Sequence, residues 1–249
     1  MKVIILAAGR GSRLGERTKD RPKCMVEICG KTILERCIAT LEEAGIKRED
    51  IGIVTGYRKD LIHVSGVHYF HNEKWEQTNM FLSMMEAMDW LKAEPCLVCY
   101  SDVIFSAHAI QSLATSNAPL AITYYTGFWE LWKMRMEDPL SDLETFKIDE
   151  QNMLLEIGKK PQTKEDIMGQ YMGLIRFTPV SFHWVLKTIE KPLPKTIAKL
   201  DMTTLLQGML EQGYPIHTIA INELWLECDT QQDIEAYECN YKDYLQNYE

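Results

Sequence analysis

Val3-Ile4-Ile5-Leu6-Ala7-Ala8-Gly9-Arg10-Gly11-Ser12-Arg13-Leu14-Gly15, with Pro22-Lys23 shortly after it, stands at the front of the chain. The apolar, partly β-branched opening has the composition of a buried strand, and it breaks into small residues, glycines and then cations. Such a succession makes room for a polyphosphate, because glycine lets main-chain N–H groups approach phosphate oxygens with no Cβ in the way. Arg10, Arg13, Arg17, Lys19, Arg21 and Lys23 supply positive charge over the same short span.

Around this cationic island the chain is acidic, with a formal charge of −9 over 249 residues. Nucleic-acid binding calls for a broad basic face, so that class is excluded and any anionic ligand must be drawn by local charge. Hydrophobic content of 46% and charged content of 25% are those of a soluble globular protein, long enough for a substantial core. Seven cysteines, an odd number scattered through apolar segments, are expected to be reduced thiols in the cytoplasm. Cys96 and Cys99 form a C-x-x-C inside a strand-like run, with no second pair at ligand spacing, and read as small buried residues rather than a zinc site. Val3 to Ala8 is too short for a secretion signal, and no apolar run approaches the ~20 residues of a membrane span. A cytoplasmic protein with no membrane partner is expected.

Downstream of the loop, Thr32 to Ala44 shows a 3.6-residue apolar pattern ending at Gly45, and Ile51-Gly52-Ile53-Val54 is a second strand before Thr55-Gly56-Tyr57. Strand, loop, helix, strand is a βαβ unit, which implies a parallel sheet. Val64 to Phe70 is predicted as a third strand, and Thr78 to Leu91 as one helix whose methionine stripe faces the core. Leu97-Val98-Cys99-Tyr100 is a buried strand ending at Ser101-Asp102, where open α/β sheets put their ligands. Leu120 to Tyr125 is a further strand, Phe128 to Met136 an aromatic helix, and the segments flanking Asp149-Glu150-Gln151-Asn152 a hairpin. Gly169 to Phe177 returns as a strand, Pro179 opens a helix, and Asp201 caps another through Leu210. Ile216 to Ile221 and Leu224 to Glu227 are late strands ending near Asp229, with a final helix from Gln231 toward Tyr248. The predicted fold is α/β and Rossmann-like, a mixed, mostly parallel sheet flanked by helices. Residues 1–249 are expected to form one domain, with a front half of about 1–115 and a back half of about 116–249.

Two familiar glycine loops fail on spacing. The P-loop string G-x-x-x-x-G-K-[ST] is absent. The dinucleotide fingerprint needs G-x-G-x-x-G and an acidic residue after the second strand, whereas here the third glycine is displaced to Gly15 and the strand ends in Thr55-Gly56. Leu6 to Leu14 with Pro22-Lys23 instead closely resembles the signature of the nucleotidyltransferase family that includes sugar-1-phosphate nucleotidylyltransferases and phosphocholine cytidylyltransferases. The resemblance continues at Thr55-Gly56-Tyr57, Trp75-x-x-Thr78-Asn79, Ser101-Asp102, Glu156-Ile157-Gly158-Lys159-Lys160 and Glu227-x-Asp229-Thr230. The middle motifs look more like the small cytidylyltransferases, and the compact length points the same way.

This resemblance implies attack by an acceptor's phosphate or phosphonate oxygen on the α-phosphorus of a nucleoside triphosphate, CTP favoured, with release of pyrophosphate. Such chemistry needs positioning and neutralised oxygens rather than a covalent nucleophile. Leu6, Ala7, Ala8, Gly9, Arg10, Gly11 and Ser12 would hold the phosphates, with Arg13 and Lys23 over them as the catalytic cations. Asp102 and Asp229 match metal-binding aspartates for Mg2+, which takes one or two carboxylates and fills its shell with phosphate oxygens and water; Asp229 could equally cap the helix after it. Gln77, Asn79 and Ser83 could face base or ribose, though a polar cluster at a helix start is as often a cap. Lys160 resembles a family lysine that reaches the acceptor's phosphate. Trp129, Trp132 and Tyr171, with Tyr124 and Tyr125 nearby, are candidates for an aromatic cage around a quaternary ammonium, although aromatics at helical spacing most often simply pack. Asp138, Asp142 and Glu144 could instead meet an amine. The expected acceptor is thus a small phosphorylated or phosphonate compound such as phosphocholine, aminoethylphosphonate or a phosphorylated amino-acid derivative. A sugar 1-phosphate is the alternative within the same chemistry, and a catalytically silent nucleotide-binding module the alternative from another class. Nothing in the residues sets the copy number, and a homo-oligomer is compatible with them.

Overall fold

The computed structural model describes residues 1–247. Seven strands form the central sheet: β1 (Lys2–Ala7), β2 (Ile51–Thr55), β3 (His68–His71), β4 (Cys96–Tyr100), β5 (Leu120–Tyr125), β6 (Gln170–Phe177) and β7 (His217–Ile221). Their order is β7-β5-β6-β4-β1-β2-β3. All neighbours run parallel except at β6, which is antiparallel to both β4 and β5. The sheet is therefore mixed and mostly parallel, as the βαβ pattern predicts.

Strand periodicity divides the core into two layers. Val3, Ile5 and Ala7 face one layer and Ile4 and Leu6 the other. The first is covered by α1 (Ile33–Glu43), α4 (Ala107–Thr115), α5 (Phe128–Arg135) and α8 (Gln231–Asn240); the second by α2 (Met80–Met85), α3 (Met88–Ala93), α6 (Pro179–Ile189) and α7 (Met202–Glu211). Thr32 starts α1 with a capping box to Glu35, which satisfies two of the otherwise orphaned N–H groups. Cys96 and Cys99 face opposite layers, so the C-x-x-C cannot close on one ion. Burial pushes the Cys96 thiol up to about 12.

Three elements differ from expectation. The single helix from Thr78 to Leu91 is two, because Ala87 leaves helical geometry at φ −101°, ψ 24°. The break lets Trp90 close over Gly52, where an added Cβ would lie 2.8 Å from its ring, and meet Phe70 edge-on at 5.1 Å. The third strand begins at His68 rather than Val64. The last helix also breaks, at Tyr241, and resumes as α9 (Lys242–Asn247); Tyr248 lies outside the described residues.

The parallel strands deliver Ala8, Gly56 and Asp102 to one edge of the sheet. Because β6 runs the other way, its first residues, Gln170 and Tyr171, reach that same edge opposite Tyr125 and Tyr124. A bulge at Gly173, φ 73°, admits the ring of Tyr100, which would lie 2.6 Å from a Cβ there.

Candidate active site

Leu6, Ala7 and Ala8 are buried, and the chain surfaces at Gly9, Arg10 and Ser12. Tyr57 N–H donates to the Ala8 carbonyl at 3.0 Å, and a Cβ on Gly56 would lie 2.6 Å from that same oxygen. The Thr55-Gly56-Tyr57 motif thus braces the loop from the neighbouring strand. Gly11 is left-handed at φ 74°, and a Cβ there would lie 2.7 to 2.8 Å from the stem of Lys23. Glycine at this position is therefore what allows the loop and the Pro22-Lys23 segment to close on each other.

The Lys23 side chain, only 11% exposed, reaches the two strand-end carboxylates at once. Its Nζ lies 2.6 Å from Asp102 Oδ2 and 2.5 Å from Asp229 Oδ1, and Arg13 Nη2 joins Asp229 Oδ1 at 3.0 Å. Burial pulls the Lys23 ammonium down, but the two carboxylates outweigh it and hold it charged. Burial likewise pushes Asp229 up, and Lys23 and Arg13 more than reverse the shift. Two carboxylates converging on one ammonium form a site for one compact cation. Among the described residues no group of three or more histidine, cysteine or acidic side chains is placed to hold a metal. This donor set fits Mg2+ completed by phosphate oxygens and water, and does not fit zinc or an all-protein calcium cage.

Two cavities flank this cluster and meet at Tyr100 and Met80. One is lined by Leu6, Ala8, Gly9, Lys23 and Asp102 on one side and by Trp75, Thr78, Asn79 and Ser83 on the other. Asn79 also caps α2 through Met80 N–H, at 2.8 Å, and Ser83 accepts from Asn72 at 3.0 Å, so both serve structure as well as the cavity. Gln77 is exposed in the preceding turn, outside this lining.

The second cavity, about 230 Å3, carries the carboxylates of Asp142, Glu144, Asp201, Glu227 and Asp229 against the single cation Arg13. Tyr100, Trp132, Tyr171 and Trp225 form its aromatic wall. Trp132 is 1% exposed, stacks on Trp225 at 5.9 Å and 16°, and donates its indole N–H to Asp142 Oδ2 at 3.0 Å. Burial and then repulsion from Asp201 push Glu144 up; burial and then repulsion from Asp229 push Glu227 up to about 8.

Other sequence candidates lie away from this cavity. Trp129 lies under Lys164 at 4.9 Å, outside the cavity lining that its helical neighbour Trp132 joins. The exposed Lys160 ammonium is engaged by the carbonyls of Leu140 and Ser141. Tyr124 packs on Phe146, Tyr125 on Trp225, and Asp138 caps the turn at Pro139. Sequence reasoning passed over Trp225 and Glu227 as site residues, yet with Asp229 they recur every second residue, the period that puts extended side chains on one face. Asp201, taken as a helix cap, both caps α7 and lines the cavity.

A phosphate-type glycine loop ending the first strand, one buried lysine held by two strand-end aspartates, and a second cavity within reach of the same cluster define a nucleotidyltransferase cleft. A family model described as a MobA-like NTP transferase domain matches residues 3–155, and the chain belongs to that family. It is 32% identical to the CTP:phosphoglutamine cytidylyltransferase of Campylobacter jejuni, across 95% of this chain and 98% of that one. The fold is shared with a Bacillus anthracis protein assigned as a glucose-1-phosphate thymidylyltransferase, at TM-score 0.76 and 18% identity over 98% and 96% of the two chains. It is also shared with the CTP:phosphocholine cytidylyltransferase of Streptococcus pneumoniae, at TM-score 0.70 and 19% identity over 95% and 97%.

Proposed function

We propose that the protein is a magnesium-dependent cytidylyltransferase of the cytoplasm. It would join CMP from CTP to a small phosphorylated or phosphonate acceptor whose far end carries an amine, amide or ammonium group. The observation that carries this reading is the acidic lining of the second cavity beside the Lys23 cluster: Asp142 and Glu144, together with Asp201, which also meets Lys195, and Glu227, which also meets Arg135. Carboxylates accept hydrogen bonds and attract cations, so they match N–H groups better than a ring of hydroxyls. The 32% identity to an enzyme named for phosphoglutamine supports an amide at that end.

In this reading the N–H groups of the loop from Ala8 to Ser12 hold the β and γ phosphates. Bound by Asp102 and Asp229, magnesium supplies charge neutralisation at the reacting phosphate. Lys23, beside those two carboxylates, would offset charge at the α-phosphate oxygens, and Arg13, on Asp229, would face the acceptor cavity. An acceptor phosphate oxygen attacks the α-phosphorus, the bond to the β-phosphate breaks, and pyrophosphate leaves with the electron pair, so no enzyme nucleophile is required. Intact Lys23, Asp102 and Asp229 weigh against a catalytically silent module.

Pyrophosphate release with Mg2+ tests the reading, using CTP, UTP, ATP, GTP and dTTP against phosphoglutamine, other phosphorylated amino-acid derivatives, phosphocholine, aminoethylphosphonate and several sugar 1-phosphates. Turnover is expected with CTP and a nitrogen-bearing acceptor. Turnover confined to sugar 1-phosphates would move the chain to the sugar branch, and none with any pair by folded protein would remove the enzyme reading for these acceptors.

A further inference from the structure

Behind the acceptor cavity lies a buried charge network that phosphate binding and metal binding leave unexplained. Arg135, at the end of α5, has a side chain with 0% exposure. Its guanidinium forks onto one carboxylate of α8, with Nε 2.8 Å from Asp233 Oδ1 and Nη2 3.2 Å from Asp233 Oδ2. The remaining nitrogen, Nη1, lies 3.3 Å from Glu227 Oε2, and the guanidinium covers the Trp132 ring at 4.5 Å. Asp233 in turn accepts from the backbone N–H groups of Thr230, at 2.8 Å, and Asp229, at 3.1 Å.

A capping box at the start of α8 accounts for the Thr230 contact but for neither the fork from Arg135 nor the contact to Asp229. Stability is also a poor explanation, because well-packed apolar residues commonly replace buried ion pairs at no loss. What the network does uniquely is join two things. One end holds Trp132, which walls the acceptor cavity and bonds Asp142. The other holds the backbone of Asp229, whose carboxylate meets Lys23 and Arg13. We infer that Arg135 is a positioning residue that locks the acceptor wall and Asp229 into one rigid unit, so that acceptor placement and metal placement depend on the same guanidinium. The inference rests on Asp229 being a metal ligand, as proposed above. The fork is essential to it, since lysine keeps the charge but presents a single ammonium point that cannot span both Asp233 oxygens and reach Glu227.

The test compares Arg135→Lys and Asp233→Asn with Arg36→Lys, a buried arginine elsewhere that donates to the carbonyls of Leu245 and Ile28. Mn2+ binding to the protein alone is followed by electron paramagnetic resonance, and KM for nucleotide and acceptor is measured with the active substrate pair. Arg135→Lys should weaken Mn2+ binding about 10- to 100-fold, the usual loss when a ligand's support is removed, and raise acceptor KM with it. Nucleotide KM should rise with the lost metal affinity, because the same ion meets the nucleotide's phosphates, while Arg36→Lys lowers the melting temperature and moves none of these quantities. Unchanged Mn2+ affinity and acceptor KM in folded Arg135→Lys would overturn the inference, as would equal losses in Arg36→Lys. If Arg135→Lys does not fold, Asp233→Asn decides by the same two readings. Wild-type protein that binds no Mn2+ would instead sink the metal reading on which the inference stands.

Discussion

The cavity proposed for the nucleotide is assembled from residues close in sequence, Leu6 to Lys23 and Trp75 to Ser83, with Asp102 added just past β4. The acceptor side draws Arg13, Trp132, Glu144, Gln170, Asp201 and Glu227 from six separate stretches. Behind the first, Gly11 and Gly56 stand where a Cβ would collide with the Lys23 stem and the Ala8 carbonyl, while its lining joins Gly9 to side chains such as Trp75, Asn79 and Ser83. The second is built from side chains, carboxylates on an aromatic wall. In the proposed reading the first meets the nucleotide and the second the acceptor, so changing one carboxylate of the second should leave the first intact.

Lys23 stands where the two sides join, and its removal should have the largest effect. Lys23→Met takes away the ammonium that joins Asp102 to Asp229, and losing one such charge stabiliser costs about 10²- to 10³-fold in kcat. The unpaired carboxylates should also destabilise the metal-free protein by about 3 kcal/mol, since breaking a buried pair leaves an uncompensated charge. Mg2+ should restore part of the melting temperature in Lys23→Met, because it takes the same two carboxylates. A variant that melts like wild type with no response to Mg2+ would break the claim that both sides depend on this cluster.

An effect confined to one side sharpens the comparison further. Glu144→Gln and Asp201→Asn each remove a carboxylate from the acceptor cavity with little change in shape, and asparagine remains a good cap for α7. Each should raise acceptor KM roughly tenfold, about 1.4 kcal/mol, with nucleotide KM unchanged. Steady-state kinetics with each substrate varied in turn checks this, and a parallel rise in nucleotide KM would show that the cavities are not separable.

The same contrast explains what was legible in the sequence. Gly9 to Leu14, Pro22-Lys23 and the strand-end aspartates carry their meaning locally, as spacing or as position after a strand. The breaks at Ala87 and Tyr241 were hidden because no glycine or proline marks them; the first serves the fit of Trp90 over Gly52, a contact between distant segments. The acceptor cavity was the least visible. Trp129 and Trp132 look alike in sequence, and only the packing of α5 separates the one under Lys164 from the one against Trp225. Asp201 looked complete as a cap, with no sign that its carboxylate also meets a cavity.

Acidification should divide the two sides without any mutation, by a smaller margin. Glu144 is pushed up, first by burial and then by Asp201, whereas Asp229 is held below the usual carboxylate range by Lys23 and Arg13 against its own burial. As pH falls, Glu144 therefore takes its proton while Asp229 is still ionised. Acceptor KM should begin to rise at a higher pH than nucleotide KM does, with Glu227, pushed up to about 8, taking its proton in the same descent. The stability signs separate this from unfolding. A carboxyl raised in the folded state gains stability as pH falls through its folded value toward its unfolded one. Asp229, depressed in the folded state, contributes stability above its unfolded value and loses it only as pH falls through its lower folded value. The melting temperature should therefore hold across the range in which acceptor KM climbs. If both KM values rise together, or the melting temperature falls with them, the acid response belongs to the whole cleft and the acceptor carboxylates do not act as a separate unit.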